Sequence, residues 1–113
     1  MINSKRKGKK GELAFCQLCE VYGYEVSRTA QYRGNTGQAG DVEGLAGIHV
    51  EVKNQERLNL REAITQSVED CAAEGKGKLP IVAHKKNREP WLITMRAEDW
   101  FSLYTSWLKE GRK

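Results

Sequence analysis

Apolar residues recur along this chain with two periods, and the switches between them mark out its elements. The clearest stretch is residues 40–55, where Ile48, Val50 and Val52 alternate with His49, Glu51 and Lys53. A β-branched run of period two predicts a half-buried strand, with the aliphatics on one face and Glu51 and Lys53 on the other. Asp41, Val42 and Glu43, just upstream, read as its hairpin partner. Earlier, Phe15, Leu18, Cys19 and Tyr22 fall at helical spacing, which predicts a helix from about Lys9 to Tyr22 with Gly23 as its stop. Residues 24–30 read as a strand with Tyr24, Val26 and Arg28 on one face.

Downstream, Asn59 and Glu62 have the spacing of a capping box, and the helix they open carries Leu60, Ile64, Ser67, Val68 and Cys71 on one face. It stops at Gly75 or Gly77. Two apolar runs, residues 79–84 and 91–95, are joined by a basic connection and read as an antiparallel pair. A last helix, residues 97–109, spaces Trp100, Leu103, Tyr104, Trp107 and Leu108 as a stripe, which predicts core, with part of it a subunit contact. The order is α-β-β-β-α-β-β-α. That is an α/β chain with a central mixed sheet of about five strands flanked by helices.

Length changes this picture little, since 113 residues suit one domain, residues 9–113, preceded by a basic arm, residues 1–8. No apolar run approaches a membrane span and the basic N-terminus lacks the apolar region of a signal peptide, so the expected setting is the cytoplasm. Charge adds more. Lys5, Arg6, Lys7, Lys9 and Lys10 crowd the first ten residues with no acid among them, and Lys85, Lys86 and Arg88 form a second group. Such clusters suit a polyanion, because each neutralised phosphate releases counterions; a solvated tail is the plainer alternative. Cys16, Cys19 and Cys71 have no second finger-spaced pair and read as small buried hydrophobes.

The candidate chemistry lies on the strand. Asp41, Glu51 and Lys53 would converge on one sheet face, where two carboxylates offer the hard oxygens that Mg²⁺ prefers. A cation held there activates water and neutralises charge on a phosphoryl group, and Lys53 adds positive charge beside it. The Val52 carbonyl is a further oxygen within reach. The plainer reading is a strand showing charges to solvent. Glu12 sits on the edge of the first helix's apolar stripe, where a carboxylate calls for a partner or a metal, unless it merely answers the helix dipole. The glycine-rich residues 31–40, carrying Tyr32 and Arg33, either close over a substrate or simply connect two strands. His84 at a strand end reads as structural, and Gln66, off its helix's apolar stripe, as solvated.

Aspartate, about ten residues, then Glu-x-Lys on an aliphatic strand resembles the PD-(D/E)xK nuclease superfamily, with Gly40 where that family often has proline. Adding the stretch Lys7-Gly8-Lys9-Lys10-Gly11-Glu12, the chain resembles the archaeal-type Holliday-junction resolvases and their phage relatives. The resemblance implies a restriction-endonuclease-like fold and a homodimer that cuts four-way DNA junctions with Mg²⁺ or Mn²⁺. It implies Glu12, Asp41 and Glu51 as metal-linked carboxylates and Lys53 as the catalytic lysine. It makes Ser27 a candidate at the DNA, raises Gln66 or its rival Gln55 to a catalytic role, and directs Lys5, Arg6, Lys7, Lys9, Lys10 and Arg33 to junction contacts. A nuclease for flaps, single strands or plain duplex, and a non-catalytic basic DNA-binding module, are the alternatives.

Overall fold

The computed structural model describes residues 4–29 and 39–111. Its elements are α1 (Ser4–Val21), β1 (Ser27–Arg28), β2 (Val42–Glu43), β3 (Ile48–Asn54), α2 (Leu60–Glu74), β4 (Leu79–Lys85), β5 (Leu92–Met95) and α3 (Ala97–Gly111). The five strands form one sheet in the order β1-β2-β3-β4-β5. Only β3 and β4 run parallel, with α2 crossing between them as parallel neighbours require. The expected element order and mixed sheet are both present.

The two faces of β3 differ from the expected half-buried pattern. Val50 and Val52 join Val42, Ile81 and Ala83 in a core covered by Phe15, Cys16 and Cys19 of α1. His49 and Glu51, on the opposite face, are also buried, at 1% and 5% exposure. A strand paired in parallel at the centre of a sheet is covered on both sides, so its polar residues are enclosed rather than solvated. On this second side Ala63, Ser67 and Cys71 form the inward line of α2, and the Ser67 hydroxyl donates to the Ile81 carbonyl at 2.9 Å. Small residues there let the helix lie close to β4. The Asn59 side chain caps α2 by accepting from the Glu62 amide at 3.1 Å, and Gly75 closes the helix in the left-handed conformation.

Three boundaries depart from expectation. α1 begins at Ser4, so the basic stretch read as an arm is helical for most of its length, in keeping with the high helix propensity of Lys and Arg. Its stripe uses Cys16 rather than Tyr22, which lies beyond the helix and is 71% exposed. The first strand shrinks from residues 24–30 to Ser27–Arg28, because among the described residues its neighbour is β2, which pairs with it at Glu43 and Val42.

The largest departure is α3, whose aromatic stripe is not core. Trp100, Phe101, Leu103, Tyr104, Trp107 and Leu108 are all exposed. Trp100 stacks on Tyr104 at 5.2 Å and Tyr104 on Trp107 at 5.9 Å, so the rings pack on one another along the helix. The helix is tied to the body at its start, where buried Asp99 accepts from Arg96 Nε at 2.9 Å. All three cysteines are buried free thiols, as expected, and burial pushes the thiol pKa of each up.

Two glycines set the approach of flanking segments to β3. A Cβ on Gly40 would lie 2.8 Å from the Val50 carbonyl oxygen and 2.9 Å from its nitrogen, so the chain before β2 rests directly on the β3 backbone. A Cβ on Gly11 would stand 3.0 Å from Asn54 Cβ, which lets α1 descend onto the end of β3. Since Gly40 presses on backbone that cannot give way, Gly40→Ala should lose about 1–3 kcal/mol of stability, as overpacking does. Urea unfolding of parent and variant measures the difference.

Candidate active site

Asp41 is held on three sides by backbone. Its own amide donates to the Val50 carbonyl at 2.7 Å, its carbonyl accepts from the Thr29 amide at 3.0 Å, and its Oδ2 accepts from the Val52 amide at 2.9 Å. The first of these continues the β2–β3 ladder past Val42; the last turns the side chain back across β3. Alternation along β3 sends Glu51 and Lys53 to the same side, and both are near enough to act on the Asp41 carboxyl. Burial, and then the Glu51 carboxylate, push the Asp41 carboxyl up to about 7; the Val52 amide and Lys53 oppose the rise. Asp41, Glu51 and Lys53 are therefore brought together as the sequence predicts.

Glu12 reaches the same neighbourhood from α1, through the close approach at Gly11. Its Oε1 accepts from Arg28 Nε at 2.7 Å. Burial raises the Glu12 pKa, with the Arg28 hydrogen bond pulling against it and Asp41 adding to it; Lys53 is also near enough to act on it. Arg28 was not singled out in the sequence, although its place on the apolar face of the first strand, with Tyr24 and Val26, signals a charge in need of a partner.

His49 was likewise unassigned. Its ring is wholly enclosed, with Nε2 3.4 Å from Glu51 Oε1 and Nδ1 3.1 Å from Glu74 Oε1, while Lys78 Nζ lies 3.5 Å from Glu74 Oε2. Burial pulls the His49 pKa down, but the carboxylates of Glu51 and Glu74 outweigh it and leave it raised. Burial raises Glu74, and His49 and Lys78 together turn that into a net lowering. The only signal in the sequence is the shared period that puts His49 on the face of Glu51.

The remaining expected residues are dispersed. Ser27 is exposed on β1, two strands from Glu51. Gln66 is exposed on α2, and among the described residues no hydrogen bond ties it to Asp41, Glu51 or Lys53. Its rival Gln55, past the end of β3, lines a cleft of about 750 Å³ with Arg57, His84, Lys85 and Leu92, which the acidic pair does not line. His84 Nε2 pairs with Thr94 Oγ1 at 2.9 Å and its pKa is lowered by burial, in keeping with a structural role. Lys9 and Lys10 are exposed on α1, and Lys5, Arg6 and Lys7 belong to its first turns. Arg33 lies outside the described residues.

The donor set suits a hard divalent cation. Among the described residues no cluster of three or more His, Cys, Asp and Glu side chains could hold a metal by itself. The neighbouring Asp41 and Glu51 side chains, however, are a two-carboxylate donor set of the kind to which Mg²⁺ adds waters. The Val52 amide is bonded to Asp41 Oδ2 at 2.9 Å, which sets the Val52 peptide beside the Asp41 carboxyl.

A mixed sheet with one parallel pair, a helix on each side and an Asp/Glu-x-Lys group at the β2–β3 edge defines a restriction-endonuclease-like domain of the PD-(D/E)xK nuclease type. A family model described as "Phage putative PDDEXK endonuclease" matches residues 3–112, and the chain belongs to that family. Among solved structures it is similar to Hjc of Archaeoglobus fulgidus, described as a Holliday junction resolvase from an archaeal hyperthermophile. The two share 24% identity over 79% of this chain and 72% of that one, with a TM-score of 0.58. No protein of curated function matches the chain.

The shifted carboxyl fixes the sign of a pH effect. Asp41 rises from 3.8 to about 7 on folding, so the folded state keeps a proton that the unfolded chain releases. The resulting stability is complete below about pH 4 and is lost as pH climbs through 7. Metal-free protein should melt at lower temperature at pH 8 than at pH 5, and Asp41→Asn should flatten the profile and add about 1–3 kcal/mol at pH 8. Thermal unfolding by circular dichroism in EDTA across this range checks both.

Proposed function

We propose that this protein is a divalent-metal-dependent, structure-selective DNA endonuclease that resolves four-way junctions as a homodimer, in the cytoplasm of a phage-infected host cell. The observation that carries the reading is the meeting of Asp41 and Glu51 at the β2–β3 edge, where the Glu51 carboxylate and the Lys53 ammonium are both near enough to act on Asp41. Asp41, Glu51 and the Val52 carbonyl would hold Mg²⁺ or Mn²⁺. When bound, such a cation lowers the pKa of a water and offsets charge on the phosphodiester.

Backbone bonds at the Asp41 amide, carbonyl and Oδ2 hold its carboxyl in place beside Glu51, which would present both groups to one cation. Lys53 presents an ammonium to the oxygens that gain charge as the phosphodiester is attacked. Glu12, tethered by Arg28, positions Lys53 and balances its charge. Lys9 and Lys10, exposed on α1, and Lys5, Arg6 and Lys7 ahead of them, would meet DNA phosphates, with Ser27 and Arg33 as further contacts and Gln66 reaching the site when DNA is bound. The solved neighbour described as a junction resolvase supports the four-way substrate.

Paired cuts need two sites at a fixed separation, which a homodimer supplies. The uncovered apolar side of α3, with Leu92 and Ile93 also exposed on β5, is the surface on which two copies would meet.

Synthetic four-way junctions, flaps and linear duplexes incubated with Mg²⁺ test the assignment. The junction should be cut fastest, and Asp41→Asn, Glu51→Gln and Lys53→Met should each slow cutting by about 10²–10⁴-fold. Equal cutting of all three substrates defeats junction selectivity, and unimpaired carboxylate variants defeat the catalytic assignment. Sedimentation tests the assembly: Trp100→Glu with Trp107→Glu should turn a dimer into a monomer.

A further inference from the structure

We propose that His49, buried between Glu51 and Glu74, is a positioning residue that fixes the Glu51 carboxylate in the orientation that receives a divalent cation, with Glu74 and Lys78 locking the imidazole from behind. The inference rests on the reading of Asp41 and Glu51 as cation ligands and extends it to α2, to which the nuclease motif assigns no part in holding metal.

The geometry is a four-membered chain. Glu51 Oε1 meets His49 Nε2 at 3.4 Å, His49 Nδ1 meets Glu74 Oε1 at 3.1 Å, and Glu74 Oε2 meets Lys78 Nζ at 3.5 Å. The imidazole has no solvent exposure and the Glu51 side chain only 6%, so nothing but protein sets the rotamer of that carboxylate. His49 engages one oxygen of the Glu51 carboxylate, the group that also acts on Asp41. The acids flank the ring at its two nitrogens and do not converge with it on a common point, which agrees with the lack of a three-ligand cluster among the described residues. His49 therefore acts on the ligand and not on the cation, as outer-shell histidines and carboxylates do when they orient first-shell groups. Glu74 closes the last turn of α2, so the arrangement also links the end of that helix to the site.

Mn²⁺ titration of the full chain without DNA, followed by electron paramagnetic resonance, tests this in the parent, His49→Leu, His49→Gln and Glu74→Ala. His49→Leu should weaken Mn²⁺ binding about 10–100-fold, and Glu74→Ala about threefold to tenfold. His49→Gln, whose amide sets a donor where Nε2 stood, should stay within about threefold of the parent. A merely structural His49 would lower the melting temperature of all three variants and leave the Mn²⁺ affinity of the folded protein in place, which overturns the proposal. Should His49→Leu not fold, Glu74→Ala decides: parental affinity there overturns it and weakened affinity supports it. A parent that binds no Mn²⁺ overturns this inference together with the metal-dependent reading, whereas a parent that binds while folded variants bind equally well overturns this inference alone.

Discussion

Two acidic side chains, Glu51 buried and Asp41 half-buried, meet at the β2–β3 edge, and the fold is arranged to keep them there. Left to themselves Asp41 and Glu51 would separate, since neither burial nor a neighbouring acid favours an ionised carboxylate. What prevents it is backbone. The Asp41 amide and carbonyl are bonded to β3 and to the chain after β1, and Gly40 rests on Val50 with no room for a side chain. A central strand covered by helices on both faces supplies the rigid partner for these bonds. Holding two acids together costs stability, and the backbone bonds to Asp41 offset that cost.

The helices serve this edge from opposite sides of the sheet. α1 descends through Gly11 and delivers Glu12, whose charge Arg28 contains. α2 returns through Glu74 to His49, beneath Glu51. Each carboxylate that approaches the pair is thus matched with a cationic or hydrogen-bonding neighbour, and among the described residues no buried polar side-chain atom lacks a partner. Enclosed polar groups of this kind are stable only when the set is complete.

Much of this was legible in the sequence. β3, its hairpin partner, the Asn59 cap and the meeting of Asp41, Glu51 and Lys53 follow from period and spacing, because those features are local or fixed by strand alternation. The enclosure of His49 was not, since a period of two reports which residues share a face and says nothing of whether a helix covers it. Arg28 and Glu12 find each other across sixteen positions, a separation that no local pattern encodes. The same limit applies to α3: an aromatic stripe is equally consistent with a core and with an uncovered face, and here the face is uncovered. β1 is shorter than its own residues suggest, because its length is set by its pairing with β2.

The placement of the tryptophans gives the molecule two separate optical reporters. Trp91 is partly enclosed, its ring 5.3 Å from Phe15 and with Lys85 Nζ 5.8 Å from its centre, so its emission follows the integrity of the core. Trp100 and Trp107 stand in solvent on α3, and their emission follows whatever comes to rest on that helix. Quenching by iodide or acrylamide would therefore distinguish loosening of the domain from uncovering of its terminal helix.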